Sequence, residues 1–256
     1  MQRASLLPVF VLGAMLASPA AALAQVRVLI SGGFSGPYEQ LLPQFERDTG
    51  VKVSTGSGAS QGNGPQTIKA QLDRGVAADV VILSRQGLDE LVAAKRIARG
   101  SEVELARTPL GIAVRAGAAK PAVASVDDFK ALMLRSRIVS VPSSTSGIFL
   151  ANDVFPRLGL AGKVVLRSTP RGVEAAALVA SGEADVAVMP VSEIVHASGV
   201  DLAGTIAQEI QLDQVFAAAV VEGAPHAEMA RRLIAFLASP AAAAAVRAGG
   251  MEPLGR

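Results

Sequence analysis

Two rhythms of apolar residues alternate along the chain. Val26-Arg27-Val28-Leu29-Ile30 is a β-branched run that predicts a buried strand. After the turn Ser31-Gly32-Gly33-Phe34-Ser35-Gly36-Pro37, the residues Tyr38, Leu41, Leu42 and Phe45 recur at helical spacing. Gly50 marks the end of that helix, and Val51 to Thr55 alternates as a second strand. Ile68 and Leu72 then share one face of a short helix ending at Gly75, and Asp79 to Leu83 is a continuous apolar run of strand length, typical of a strand covered on both faces. A helix over 86–98 is expected to turn Leu88, Leu91 and Val92 inward.

Thr108 to Arg115 reads as an extended crossover, followed by a Gly/Ala/Pro stretch from Gly117 to Pro121, and here the chain is expected to change lobe. The same grammar then repeats. Ser125 caps a helix with Asp127 and Asp128 in its first turn, Arg137 to Val141 is a strand, and the turn Pro142 to Gly147 leads into a helix expected to bury Ile148, Ala151, Phe155 and Leu158. Val164 to Leu166 is another strand, Thr169-Pro170-Arg171-Gly172 opens a helix running to Ser181, and Val186 to Met189 is a strand followed by a short helix at Pro190-Val191-Ser192-Glu193. Gln214 to Val221 is long and extended enough to recross, and a tail helix turns Met229, Leu233, Phe236 and Leu237 inward. The alanine run 241–245 is helical in context, since Ser239 and Pro240 suit its start and Gly249-Gly250 its end.

Strand, turn and helix in this order predict an α/β fold of two lobes, each a central, mostly parallel sheet flanked by helices, joined by two crossovers. The expected division is 25–109 plus 218–256 for one lobe and 110–217 for the other. Residues 1–24 read as a secretory signal peptide: Arg3 gives a basic start, Leu6 to Leu16 an apolar core too short to span a bilayer, and Ala22-Leu23-Ala24 a small-residue cleavage site before Gln25. A periplasmic protein is therefore expected.

Composition narrows the chemistry. Cysteine is absent and only His196 and His226 are present, so disulfides, thiolate catalysis and a Cys- or His-based metal site are not expected, nor any cofactor. The net charge of +2 includes Arg3, and no basic stripe or aromatic platform recommends nucleic acid as a partner. A serine hydrolase is disfavoured too, because neither histidine lies in a convincing nucleophile context.

What remains is anion chemistry. Ser31, Gly32, Gly33 and Phe34 form a turn whose glycines let backbone amides approach a ligand, at the positive end of the helix that follows. The Gly/Ser-rich loop with Ala59 and Ser60 fits a segment that wraps a ligand, and Ser144, Ser146 and Gly147 lie in a second hydroxyl-rich turn before a helix. Two such turns in the two halves of a chain suggest one anion held between facing helix ends. Arg85, at the end of a strand, reads either as an anion clamp or as an exposed arginine starting a helix. Arg171 beside Gly172 stands at a helix start, where the dipole disfavours a cation, and an anionic ligand in front of it resolves the conflict.

These motifs, with Ala78-Asp79-Val80-Val81-Ile82, Gly182-Glu183-Ala184-Asp185 and the closing Phe236-Leu237-Ala238-Ser239-Pro240, resemble the periplasmic molybdate-binding proteins and their wider relatives over the whole mature chain. The resemblance implies a type II periplasmic binding protein that closes two lobes on its solute and hands it to a membrane permease. Ser60 matches a serine of that family's site, and Ser146 and Gly172 match its backbone-amide positions; Gly33 stands where a serine is usual and Met189-Pro190 where a tyrosine is usual. Two oxyanion contacts are thus missing. The Ser-Gly-Gly-Phe turn, the long Gly-Ser loop and the Ser-Glu helix start look more like a divergent branch that includes aconitate isomerase.

Two readings follow. In the first, a monomeric receptor of an ABC-type importer binds a small anion, an oxyanion such as molybdate or tungstate or a carboxylate, in the interlobe cleft and performs no chemistry. In the second, an isomerase on the same scaffold interconverts trans- and cis-aconitate by allylic proton transfer; Arg85 and Arg171 would hold carboxylates, with Ser31, Tyr38 or Glu193 handling the proton.

Overall fold

The computed structural model describes residues 25–255; the expected signal peptide, 1–24, lies outside the described residues. The first strand, β1 (Gln25–Ile30), is followed by α1 (Ser35–Thr49), β2 (Lys52–Ser57), α2 (Ile68–Asp73), β3 (Val80–Ser84), α3 (Arg85–Ala93) and β4 (Val103–Thr108). A second run holds β5 (Leu110–Arg115), α4 (Val126–Arg135), β6 (Val139–Pro142), α5 (Thr145–Phe149), α6 (Phe155–Arg157), β7 (Leu166–Thr169), α7 (Gly172–Ser181), β8 (Val186–Pro190), α8 (Val191–Ile194) and β9 (Val200–Thr205). The chain closes with β10 (Gln214–Val220), α9 (Ala227–Leu237), α10 (Ala243–Ala248) and β11 (Glu252–Pro253).

Two sheets result, ordered β11-β4-β10-β3-β1-β2 and β7-β6-β8-β5-β9. Each is mixed rather than mostly parallel. β2, β1 and β3 run parallel, as do β7, β6 and β8, but the strands that carry the chain between the lobes, β5 and β10, enter antiparallel and bring antiparallel neighbours with them. Pro109 alone separates β4 in one sheet from β5 in the other. The return lies ahead of Gln214, since all of β10 pairs in the first sheet; a boundary at 217/218 would cut that strand.

Both faces of each sheet are covered, which is why β3 and β8 are buried throughout and apolar except for Ser84 at the end of β3. On the first sheet, Val26, Val28 and Ile30 pack toward α1, α9 and α10, while Leu29, Val81 and Leu83 face α2 and α3. On the second, Ile112, Val139 and Val188 pack with Phe129 and Phe155 on one side, and Ala113 and Ala187 with Ala175, Ala176 and Val179 of α7 on the other. Asp79, fully buried, pins the lobe's edge by accepting from the backbone N–H of Arg27 (2.8 Å) and of His226 (3.3 Å).

Two expected helical faces differ. α3 stops at Ala93, where Lys95 takes a left-handed φ of 55° and the chain turns back, so Leu88 and Leu91 are buried and Val92 is exposed. Between α5 and α6 a π turn, Leu150–Val154, adds a residue to the helical repeat. That shift buries Leu150, Val154 and Phe155 and exposes Ala151, displacing the face expected through Ile148, Ala151, Phe155 and Leu158.

The topology aims the carboxyl ends of β1, β3, β6 and β7 into the crevice between the sheets, where open α/β sheets bind ligands.

Candidate functional site

The crevice holds a hollow bounded by Ser31, Gly32, Gly58, Ala59 and Ser60 from one lobe, by Ser144, Thr145, Ser146, Arg171, Gly172 and Glu193 from the other, and by Gln214 and Phe216 of β10. The space it encloses is small, about 20 Å³. A wider groove, bordered by Tyr38, Thr55, Ser57, Ser192 and His196, shares Ser31, Gly32, Arg171 and Glu193 with it.

The first turn divides its residues between ligand space and core. Ser31 donates its backbone N–H to Ile82 O at 2.8 Å, continuing the pairing of β1 with β3 up to the turn, and its hydroxyl is buried with no partner among the described residues. Gly32 borders the hollow. Gly33 and Phe34 do not: Phe34 is in the core, and a Cβ on Gly33 would lie 1.9 Å from Cζ of Phe216. Gly33 is glycine because an aromatic ring lies against it. Gly33→Ala should therefore cost about 2–3 kcal/mol, lowering the midpoint of thermal unfolding by roughly 5–10 °C; an unchanged midpoint would show that the ring has room to move.

Three hydroxyls around the hollow have their protons directed by backbone amides. Ser84 N–H donates to Ser60 Oγ (2.9 Å) and Gln61 N–H to Ser144 Oγ (3.2 Å), so each hydroxyl, with a lone pair used, keeps its proton to donate onward. Gly87 N–H donates to Ser84 Oγ (3.2 Å), which shares a 2.7 Å hydrogen bond with Thr145 Oγ1 across the lobes. With Ser84 as donor in that bond, Thr145 also offers its proton. Ser60, Thr145 and Ser146 are all buried, and such a set of donors suits an anionic oxygen. Gly147 serves the fold instead, since a Cβ there would strike Pro142 O at 1.8 Å.

Arg171, the residue before α7, donates Nε and NH2 to Glu174 Oε1 (3.1 and 2.8 Å) and NH1 to Ser57 Oγ (2.9 Å), spanning the crevice at its mouth. Arg85 lies elsewhere, ion-paired with Asp89 one turn along α3, and does not border the hollow. The clamp reading of Arg85 is thereby corrected, and the pairing was visible as an i,i+4 arginine and aspartate. Tyr38 lines the outer groove, where its hydroxyl shares a 2.7 Å hydrogen bond with Thr55. Burial pushes its pKa up to about 12, so it holds its proton at neutral pH and cannot act as the base.

Glu193 does not share that limit. Its Oε2 would lie 2.7 Å from a Cβ on Gly32 and 2.0 Å from one on Gly172, so the carboxyl is wedged between the first turn of one lobe and the start of α7 in the other. Desolvation raises its pKa to about 7, against the Gly172 N–H and Arg171, which favour the charged form, while Glu174 adds to the rise. The helix start expected to serve an incoming anion is thus already facing the protein's own carboxyl. Ser84, Thr145, Gln214 and Ser192 were not singled out from sequence; Gln214, a lone polar residue heading an apolar strand, carried the one usable signal.

Residues 26–252 match the family model of the bacterial extracellular solute-binding proteins. The chain is 35% identical over 254 residues to an aconitate isomerase of Pseudomonas sp., with 97% of each chain covered. It is 26% identical to the molybdate-binding protein ModA of Azotobacter vinelandii, covering 94% of this chain and 95% of that one. Among solved structures, the sulfate-binding protein SubI of Mycobacterium tuberculosis H37Rv superposes with a TM-score of 0.71 at 20% identity, over 90% of this chain and 87% of that one, a likeness of fold. With its two sheets, its crevice and a match across nearly all described residues, the chain belongs to the bacterial extracellular solute-binding proteins and has the two-lobed α/β fold of the type II periplasmic binding proteins.

Proposed function

We propose that this protein is an aconitate isomerase-like enzyme of the periplasm, one that moves an allylic proton within a small unsaturated polycarboxylate. The observation that carries this reading is Glu193, a carboxyl set inside an anion-binding hollow with a pKa of about 7. A receptor for a metal oxyanion gains nothing from a second negative charge at its seat; a proton-transfer enzyme needs a group that both takes and returns a proton near neutral pH. The 35% identity to an aconitate isomerase supports the same choice.

The chemistry balances without a co-reactant. Glu193, as carboxylate, takes a proton from the methylene carbon next to the double bond, and the electron pair spreads through the C=C bond into its carboxylate. The proton then returns at the far allylic carbon, so the double bond has moved one position. Because aconitate's carbon skeleton is symmetric about its central carbon, the shift regenerates aconitate, and the way the site holds the chain sets the new geometry. Ser60, Ser144 and Thr145 seat one carboxylate and stabilise charge as it develops, while the remainder of the acid lies in the outer groove toward Arg171 and Ser57.

A second reading is supported by the family and by the directed hydroxyls: a non-catalytic receptor, monomeric, that passes a small anion to the permease of an ABC importer. Thermal unfolding in the presence of candidate solutes separates the two, since a ligand that binds only the folded state raises the midpoint. trans-Aconitate and cis-aconitate should each raise it, Arg171→Ala should diminish both shifts, and molybdate and sulfate should leave it unchanged. A shift with molybdate and none with carboxylates would leave the receptor reading standing alone.

A further inference from the structure

We propose that Gln214 is the specificity-determining residue of the hollow, its carboxamide hydrogen-bonding a carboxyl group of the bound acid and selecting polycarboxylates over tetrahedral oxyanions. The inference rests on the carboxylate reading of the site. Gln214 begins β10, paired with Thr108 of β4 beside the two crossovers, and borders the hollow with Ser31 and Phe216. It is 4% exposed, and its Oε1 has no hydrogen-bond partner among the described residues. The hydroxyls of Ser31 and Ser192, also buried and unpartnered, border the same crevice. An orphaned buried acceptor is a burden to the folded state and is kept where a ligand completes it.

Apart from the Glu193 carboxyl, the side chains around Gln214 that meet a ligand are donors: Ser60 and Ser144 have protons directed by amides, and Arg171 can only donate. A carboxamide offers a donor and an acceptor side by side in one plane. A carboxyl group that keeps its proton in the desolvated crevice matches it, accepting from Nε2 and donating to Oε1, whereas an ionised carboxylate engages Nε2 alone. A fully ionised tetrahedral oxyanion presents acceptors alone and leaves Oε1 unpaired.

The test uses tricarballylate, a saturated tricarboxylate that binds without the possibility of isomerisation, beside trans-aconitate turnover. Gln214→Leu should weaken tricarballylate at least tenfold and raise KM for trans-aconitate by a similar factor, with kcat within about threefold of the parent. The free variant should unfold at the same temperature or higher, because the orphaned acceptor is gone. That combination of weaker binding with undiminished stability is not produced by a structural role. Gln214→Glu, which adds a charge of the ligand's own sign, should weaken binding more than a hundredfold. Gln214→Leu with unchanged KM and tricarballylate affinity, in a protein that converts aconitate, overturns the assignment of Gln214 and leaves the isomerase reading intact. A parent protein that binds molybdate and neither binds nor converts carboxylates overturns both.

Discussion

Glu193→Gln should abolish isomerisation while making the protein more stable above neutral pH. The variant keeps the size of the side chain and removes its titration, so the loss of a proton carrier should lower kcat by about a thousandfold, within the range general acid–base groups supply. The stability change follows from the raised pKa. Unfolded, Glu193 ionises near its ordinary value of 4.5; folded, it does so at about 7. Between those values the native state holds a proton that the unfolded state has released, so its contribution to stability is full below 4.5 and falls as pH rises through 7. Above 7 the parent bears the cost of a desolvated charge, about 3 kcal/mol for a shift of this size. Urea titrations should give equal stabilities for the two proteins near pH 4.5 and a gap of about 2–3 kcal/mol in favour of the glutamine variant at pH 8. A gap of the opposite sign at pH 8 would mean that Arg171 and the Gly172 amide outweigh burial.

The other large effect is expected at Gly172→Ala. Gly172 opens α7 with no left-handed backbone requirement, and alanine suits a helix better than glycine, so the fold should tolerate the change. The added Cβ would lie 2.0 Å from Glu193 Oε2 and 2.9 Å from Cε of Met189, and the carboxyl must leave its place. Turnover should fall by about a hundredfold, as expected when a catalytic group is moved by an ångström or more, while the unfolding midpoint changes by only a few degrees. Equal losses of stability and turnover would point to a general packing defect in α7 rather than a displaced carboxyl.

The order of strands, turns and helices was legible because each sheet is covered on both faces, which writes its strands as unbroken apolar runs such as Val80 to Leu83. Direction was less legible. Nothing in the residues of β5 or β10 announces that they run against their neighbours; that follows from how the chain passes between lobes. The π turn at Leu150–Val154 was hidden as well, since apolar spacing is read on an assumed period.

In the site, the two hydroxyl-rich turns were visible as composition, and Arg171 as a cation misplaced on a helix start. Which residue of each turn meets the hollow was not visible. Gly33 and Gly147 are glycines for the sake of Phe216 and Pro142, contacts between segments far apart in the chain or across a turn. The same limit hid the relation between Glu193, Gly172 of the same lobe and Gly32, which reaches the carboxyl only once the lobes meet.

Proton NMR of purified protein incubated with trans-aconitate at pH 7 shows whether Glu193 moves a proton within a carboxylic acid held in the crevice. The vinyl resonance of the cis isomer should grow to an equilibrium level reached equally from cis-aconitate, and Glu193→Gln should show no growth over the same time. A spectrum unchanged by the parent protein, or conversion undiminished in Glu193→Gln, would contradict that role.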